Sequence, residues 1–407
     1  MEIGPIFRAL MHNKSRFWLV TLEVALTLAI VANCVNMMLD MRHEYLRPSG
    51  YDEENLIAIN TEPFAPDFED EEFTDTIREE DLRRLEAVPG VRGAIAISQM
   101  PLSGSGSSTA RKPLGSDIDT TSAPYFAVTE GVLQTFGVEL VAGRDFIPSD
   151  FEEPEEGWDG EGVVRNVIMN EKLAEKLFPD GDALGERIQS RGGERVNLVV
   201  GLVSEMHGSW PTSSIGQQTM LFPGKPGSGR GVRFLVRTEP GGVDAVFGEL
   251  EGVIRDVHPD RVVTVETLSE VKRENFQASL GVIKLLTSII VLLVLVTSLG
   301  IIGLTSFSVT QRTRQIGTRR ALGATRGDIL RYFLVENWVI TGIGLALGAL
   351  MTFGLNYALI HFAEVPKMSW GLLAVGALAL WLTGIVAALA PALRATGVAP
   401  EIATRTV

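Results

Sequence analysis

Hydrophobic residues along this chain are gathered into four long runs instead of alternating with polar residues at the spacing of a globular core. The runs cover residues 17–39, 281–310, 338–362 and 370–393. As an α-helix, each is long enough to cross a hydrocarbon layer about 30 Å thick. Because a backbone in lipid has to close its own hydrogen bonds, we predict four transmembrane helices.

Residues 40–280, between the first two runs, have the mixed pattern of a globular domain. The pattern predicts strands at 55–60, 91–98, 197–203, 232–237 and 261–266, and helices at 70–87, 171–178 and 243–258. The order favours an extracytoplasmic α+β domain of two lobes, in which a middle segment interrupts a split β-α-β lobe. The Ser/Gly stretch 103–108 is predicted to be a mobile loop, and the linker 269–279 to continue into the second membrane helix as one helix.

Basic residues near the ends of the apolar runs predict the orientation of the chain. Arginine and lysine are concentrated in residues 1–16, in the loop 311–337 and in the tail 394–407. By the positive-inside rule these segments are cytoplasmic, as are both termini, whereas 40–280 and the short loop 363–369 lie outside. Residues 1–16 have an apolar face suited to an amphipathic helix on the inner surface of the membrane.

Charge and composition exclude several classes of protein. The formal net charge is −14, and the acidic excess is concentrated in 40–280, which argues against nucleic-acid binding. The single cysteine, Cys34, lies in the first apolar run, so the outer domain folds without disulfides. No catalytic triad or metal-ligand spacing occurs, and we predict neither catalytic residues nor a metal site. Glu23, an acid inside the first run, is interpreted as a snorkelling or helix-bridging residue.

The loop 311–337, which we call the elbow, carries the most informative pattern. Its arginines avoid five apolar positions, so that basic and apolar faces can separate: Ile316, Leu322, Ile329, Leu330 and Phe333. Gly323 is suited to end a helix, and Thr325 with Asp328 has the spacing of a capping box that starts the next one. The pattern predicts a helix-turn-helix that projects into the cytoplasm.

The sequence of the elbow resembles the arginine-rich signature of the FtsX-like permease family, R-x-R-x-I-G-x-x-R-A-x-G-A-x-x-x-D-I. It differs at Gln315, where that family usually has Glu. The tail Pro391-Ala392-Leu393-Arg394-Ala395, with Pro400 and Arg405, is similar to the closing block of the same family, although Thr404 replaces the usual Leu. The region outside the membrane resembles the periplasmic core domain of MacB-type permeases. The matching positions are Tyr125-Phe126, Gly137, Gly143-Arg144-Asp145-Phe146, Asn170-Glu171, Phe178-Pro179, Gly185 and the strand that ends at Val203.

The resemblance implies a permease subunit of an ABC transporter in a bacterial inner membrane, in which the elbow couples to an ATPase. The coupling residues that it implies are Arg312, Arg314, Ile316, Gly317, Arg319, Arg320, Gly323, Ala324 and Asp328. No G-x-x-x-x-G-K-[ST] loop occurs in the sequence, so we expect no cofactor here, ATP and Mg²⁺ in a partner chain, and no enzyme activity of this chain alone.

Further partners follow from the same resemblance. Four helices are too few to enclose a pore, so we expect a dimer with a second copy or a related permease, together with a periplasmic membrane-fusion adaptor. Four glycines suit close helix packing, either in the dimer or within one subunit: Gly300, Gly303, Gly344 and Gly348.

The implied function is efflux of an amphiphilic compound or peptide by mechanotransmission, in which ATP-driven movement is relayed to the outer domain. Two alternatives stay open, namely a permease that extracts lipoproteins and an FtsX-like regulator of a periplasmic hydrolase. The sequence identifies neither the cargo nor the adaptor.

Overall fold

The computed structural model describes residues 14–152, 163–193, 195–213, 215–227, 231–363 and 365–398. The chain forms two compact units, one built from Leu46–Ala278 and the other from the segments on either side of it. The helices are α1 (Lys14–Leu46), α2 (Glu71–Glu86), α3 (Val132–Phe136), α4 (Glu171–Leu177), α5 (Val243–Val257), α6 (Leu268–Asn275), α7 (Gln277–Gln311), α8 (Thr313–Ala321), α9 (Arg326–Ala363) and α10 (Trp370–Thr396).

The unit Leu46–Ala278 is the outer domain, and its strands join in one sheet. They are β1 (Leu56–Pro63), β2 (Val91–Ile97), β3 (Ser108–Pro113), β4 (Thr121–Val128), β5 (Leu140–Gly143), β6 (Val164–Asn170), β7 (Arg187–Ser190), β8 (Val196–Val203), β9 (Met220–Pro223), β10 (Arg233–Thr238) and β11 (Arg261–Thr267). Their order is β11-β1-β10-β2-β4-β3-β7-β8-β6-β9, and β5 pairs with β8.

One lobe consists of two β-α-β units, β1-α2-β2 and β10-α5-β11, whose four strands pair antiparallel. Alternate residues of β1 point to opposite faces, so Ile57 and Ile59 pack under α2 and α5 with Leu85 and Leu250. The chain leaves this lobe after β2 and returns at β10, which is the neighbour of β2 in the sheet. The predicted split β-α-β lobe with an inserted middle segment is confirmed.

The inserted segment forms the second lobe, made of β3 to β9 with α4 against the sheet. The hydrogen-bonded register that joins the lobes through β2 and β4 is one pair, Ile97 with Val128. Side-chain hydrogen bonds reinforce the junction, since the Ala127 N–H donates to Ser98 Oγ at 2.9 Å and the Ala96 N–H donates to Thr129 Oγ1 at 2.9 Å.

The join between the outer domain and the second membrane helix differs from the sequence prediction. One continuous helix through 269–279 is wrong, because α6 ends at Asn275 and α7 begins at Gln277. Between them Phe276 has φ −84° and ψ 0°, and its side chain is fully buried. The Phe276 N–H still donates to the Lys272 carbonyl oxygen at 3.1 Å, so the chain departs from the helical ψ of about −42° at this one residue.

Four helices of the other unit are long and apolar enough to cross a membrane. Of the apolar window in α1, 61% is buried, against 11% in α7, so α1 lies at the centre of the bundle and α7 at its edge. One stripe of α1, formed by Val20, Val24 and Leu28, packs with residues of α9 and α10. The predicted fold class is thus confirmed: four apolar helices, with an α+β domain between the first and second.

Polar side chains join these helices where water is excluded. Thr27 Oγ1 on α1 and Thr297 Oγ1 on α7 are 2.7 Å apart, and Asn337 Nδ2 on α9 donates to the Gly384 carbonyl oxygen on α10 at 3.0 Å. Asn36 Nδ2 donates to the carbonyl oxygen of Pro366, in the loop between α9 and α10, at 2.9 Å. Such hydrogen bonds select one helix arrangement because an unpaired polar group in hydrocarbon is costly.

Some predicted segments fall outside the described residues. They are most of the amphipathic helix 1–16 and the end of the tail 394–407, including Pro400, Thr404 and Arg405. The helix and tail therefore stay predictions.

His207 in the outer domain is buried, and the side-chain charges that act on it among the described residues are positive. Only 4% of its surface is exposed, and its own backbone is fixed by a 2.9 Å hydrogen bond from its N–H to the Ser49 carbonyl oxygen. Burial, followed by the positive charges of Arg47, Lys172 and Lys272, lowers the pKa of His207 to about 4, against 6.5 ordinarily.

Acid should therefore destabilise the outer domain through His207. Between pH 4 and 6.5 the unfolded chain binds a proton there that the folded chain does not, so this stability is complete above pH 6.5 and falls as the pH falls towards 4. We expect the free energy of unfolding to drop by about 2 kcal/mol between pH 7 and pH 5, measured by denaturant titration in detergent. His207→Gln should remove this part of the pH dependence, and equal slopes in the two proteins would contradict the assignment.

Candidate functional site

The elbow begins where α7 ends. Arg312 has φ −102° and ψ 12°, which interrupts the helix between Gln311 and Thr313 and sets α8 apart from α7. The Arg312 N–H still donates to the carbonyl oxygens of Ser308 and Val309, both at 3.2 Å. The chain therefore bends at one residue without losing the hydrogen bonds of the helix end.

The turn between α8 and α9 has the predicted chemistry. Gly323 has φ +99°, a backbone conformation that is unfavourable for any residue with a Cβ atom. The Ala324 N–H donates to the Arg319 carbonyl oxygen at 3.0 Å. Asp328 Oδ2 accepts from the Thr325 N–H at 3.0 Å, and Thr325 Oγ1 accepts from the Asp328 N–H at 3.2 Å. The helix stop and the capping box are both confirmed.

The apolar side of the elbow packs against the end of α10. Ile316, Ile329 and Phe333 are buried with Ala392 and Ala395. Leucine 322 was predicted to belong to this side, and that prediction is wrong, because 83% of its surface is exposed. At 3.6 residues per turn, six residues separate position 322 from Ile316 by about 240°, so both cannot face α10.

Arg312, at the start of α8, and Arg320, within it, hold this short helix to the long helices. Arg312 Nη1 donates to Glu336 Oε2 at 2.9 Å and to the Tyr332 hydroxyl at 3.1 Å, both on α9. The Arg312 and Glu336 side chains are 17% and 8% exposed. Arg320 Nη1 donates to the carbonyl oxygens of Thr396 and Val398, each at 2.9 Å. These contacts join α8 to α9 and to the end of α10.

The remaining basic side chains of the elbow are exposed. Arg319 lies over the Tyr332 ring, with 4.9 Å from its Cζ to the ring centroid, and Arg314 is exposed on the same short helix. The predicted coupling residues thus separate by environment. Arg314, Arg319, Gly323 and Asp328 are exposed, Arg312, Arg320 and Ala324 are half-buried, and Ile316 and Gly317 are buried. Their role in coupling stays a prediction.

Glu336 and Tyr332 were missed by the sequence reasoning. Both lie in the predicted elbow, but no spacing rule connects them to Arg312, which is 24 residues before Glu336. An acid close to the apolar run 338–362 was the available signal, since such a group has to find a partner.

Three of the four predicted packing glycines contact α1 of the same subunit. A Cβ at Gly344 would lie 3.0 Å from the Thr21 carbonyl oxygen, and one at Gly348 would lie 2.9 Å from that of Ala25. Gly300 lies against Glu23, whose Oε2 would be 2.5 Å from an added Cβ. Gly303 has no atom within 4 Å of such a position. The first three glycines are therefore used within one subunit.

Comparison with known protein families finds a matching family for each of the two units of the chain. Residues 287–400 match the FtsX-like permease C-terminal family, and residues 19–253 match the MacB-like periplasmic core domain.

The chain is also similar to individual relatives and to solved structures. An uncharacterized ABC transporter permease of Bacillus subtilis, YknZ, is 26% identical over 81% of this chain and 79% of its own length. The macrolide export ATP-binding/permease protein MacB of Chromobacterium violaceum is 25% identical over 61% of this chain, which spans 37% of that relative. The crystal structure of the YknZ extracellular domain covers 51% of this chain at 20% identity, with a TM-score of 0.33. The periplasmic region of MacB from Actinobacillus actinomycetemcomitans covers 57% at 14% identity, with a TM-score of 0.36.

Loss of the Arg312 side chain should destabilise the helix unit more than loss of the whole ion pair. Arg312→Met leaves the Glu336 carboxylate buried without its cation, and we expect a cost of about 3 kcal/mol. The double variant Arg312→Met with Glu336→Met should recover most of that loss, because no charge is left buried. Thermal unfolding in detergent measures both. A double variant no more stable than the single one would contradict this account of the pair.

Proposed function

Because this chain belongs to the MacB/FtsX-like family of ABC transporter permeases, we propose that it is the membrane subunit through which a separate ATPase moves the outer domain. Membership of the family implies an ATPase partner. In this proposal the partner binds ATP and Mg²⁺ and hydrolyses ATP, and the present chain contributes no catalytic residue. The four apolar helices and the outer domain make the chain a membrane protein with an extracellular domain.

The exposed tip of the elbow is the observation that carries the proposal. Leu322 is 83% exposed at the turn, with the exposed guanidinium groups of Arg314, Arg319 and Arg326 on the two flanking helices. The opposite side of the elbow is already occupied by α10. An apolar side chain among cations suits a partner that offers an apolar pocket with an acidic rim.

The contacts at the base of the elbow support transmission of force. Three contacts attach α8 to α9 and α10: the Arg312–Glu336 pair, the hydrogen bonds of Arg320 and the apolar packing of Ile316. A displacement of the tip would move these helices with it, because packed interfaces resist continuous deformation. In our proposal this movement is what reaches the outer domain.

We further propose a bacterial inner-membrane location with both termini and the elbow in the cytoplasm and the outer domain in the periplasm. The distribution of basic residues supports this orientation. A dimer with a second copy or a related permease is supported by the low burial of α7, whose outer surface contacts lipid or another subunit. We also propose a periplasmic adaptor, which is supported only by membership of the family.

For cargo we propose efflux of an amphiphilic compound or peptide by mechanotransmission. Several relatives are named as macrolide export proteins, which favours export over lipoprotein extraction and over regulation of a hydrolase. Crosslinking of the outer domain in native membranes tests the choice, since recovery of lipoproteins would replace export by extraction.

Substitution at the tip should uncouple the ATPase without unfolding the permease. Leu322→Glu places a charge where the proposal has an apolar contact, and Arg319→Glu reverses one cation beside it. We expect each to weaken co-purification of the ATPase by about tenfold or more. The measurement is pull-down of the tagged permease, with the ATPase quantified by mass spectrometry.

Arg92→Glu is the matched control, because Arg92 is an exposed arginine of the outer domain. It makes the same charge change as Arg319→Glu, away from the elbow, and should leave co-purification unchanged. Equal recovery of the ATPase with Leu322→Glu, Arg319→Glu and the control would remove the elbow from the interface.

The orientation is testable with single cysteines, because Cys34 is the only native one and is buried in α1. In a Cys34→Ala background, Arg92→Cys should react with a membrane-impermeant maleimide once the outer membrane is permeabilised. Leu322→Cys should react only after the inner membrane is opened. Labelling of both positions from the same side would overturn the proposed topology.

A further inference from the structure

The outer domain contains a polar cleft of about 550 Å³ that has no part in the proposed coupling. It lies on the face of the four-stranded lobe opposite α2 and α5. The lining comes from β1, β10, β11, α6 and the segment that follows β2. The residues used below are Asn60, Gln99, Ser103, Arg233, Glu266 and Glu274.

The register of the sheet places the floor of the cleft. On this face Ala58 pairs with Leu235, and both are buried in the core. Two residues further along β1, Asn60 pairs with Arg233, while Glu266 of β11 lies opposite Ala58. Because side chains alternate along a strand, the same face changes from apolar to polar between these positions. A cation, an amide and a carboxylate therefore share the floor.

Helix α6 forms one wall of the cleft. Leu268 and Val271 are buried against the core, and Glu274 lies one turn after Val271. Residues three apart share a helix face, so Glu274 continues the buried stripe to the rim of the cleft and is exposed there.

The Ser/Gly stretch forms the facing wall, and it is held in place. Ser103 Oγ donates to the Met100 carbonyl oxygen at 2.8 Å, and the Gly104 N–H donates to the Ser209 carbonyl oxygen at 2.7 Å. Gln99 accepts from the Ser107 N–H and donates to the Tyr125 carbonyl oxygen. The stretch was predicted to be mobile, but these bonds give the cleft a preformed wall.

Two carboxylates at the cleft lack partners. Among the residues that the structure describes, neither Glu266 nor Glu274 takes part in a side-chain hydrogen bond or an ion pair. Arg233 is a cation on the same floor, and the hydrogen bond that its Nη1 donates goes to the Ser98 carbonyl oxygen, at 3.0 Å. Burial, and then the negative charges of Glu274 and Glu270, raise the pKa of Glu266. With two carboxylates and one guanidinium in its lining, the cleft has an excess of negative charge beside preformed polar walls.

A ligand with a protonated amine satisfies these groups better than a metal ion does. In the described part of the chain, no three His, Cys, Asp or Glu side chains lie close enough together to hold a metal. An ammonium group needs three acceptors, which carboxylate and amide oxygens supply. We propose that this cleft binds a small polar ligand through its ammonium group, with Glu266 and Glu274 as the anionic contacts and Asn60 as an acceptor.

The test uses the full-length protein in detergent and spermidine as the probe, by isothermal titration calorimetry in about 150 mM NaCl, which screens long-range attraction. We expect saturable binding with one site per chain. Glu266→Gln and Glu274→Gln should each weaken the affinity about tenfold, and Arg233→Gln should strengthen it a few-fold, since it removes a cation from the floor. Unchanged far-UV circular dichroism establishes that each variant is folded.

Glu249→Gln is the matched control, because Glu249 is an exposed acid of α5, on the other face of the same sheet. It removes the same charge from the domain and should leave the affinity within about twofold of the wild type. Equal weakening by Glu249→Gln and Glu274→Gln would mean general surface attraction and would overturn the site. Calcium binding with an affinity equal to that of spermidine, or no saturable spermidine binding, would overturn the amine assignment. Because no ATPase is present, the outcome is independent of the coupling proposal.

Discussion

The ion pair between Arg312 and Glu336 is the interaction on which the elbow depends. It joins the end of α7 to α9 at the one residue where the chain bends, and it lies where water has little access. Apolar packing of Ile316 and Phe333 on α10 is not directional and would tolerate a range of bend angles. The ion pair, with the Tyr332 hydroxyl beside it, selects one of them.

Local rules predicted most of the fold. The strands and helices of the outer domain follow from alternation and caps, and the observed β1, α2 and β2 lie within a few residues of the predicted segments. Phe276 shows where local rules fail. Nothing in the flanking sequence distinguishes it from a residue inside a continuous helix, and the burial of its ring is a tertiary property that local rules do not predict.

In the candidate site, too, local contacts were predicted from the sequence and long-range contacts were not. Gly323, Thr325 and Asp328 act on neighbours within three residues, so their spacing alone predicted the turn. The partner of Arg312 is 24 residues away, and the partners of Arg320 are backbone atoms at the end of another helix. Such contacts depend on how the helices pack against one another, which local sequence rules do not predict. Leu322 was misassigned for a simpler reason, since its hydrophobicity was given more weight than its angle on the helix.

The exit and return points of the inserted segment have a thermodynamic consequence for the outer domain. Ile97 at the end of β2 pairs with Arg233 at the start of β10. For the four-stranded lobe, the whole inserted segment is therefore a very long hairpin connection between β2 and β10. The entropy lost in closing a connection rises only with the logarithm of its length. The second lobe can therefore be enlarged, shortened or exchanged for a different module at little expense to the lobe that carries it.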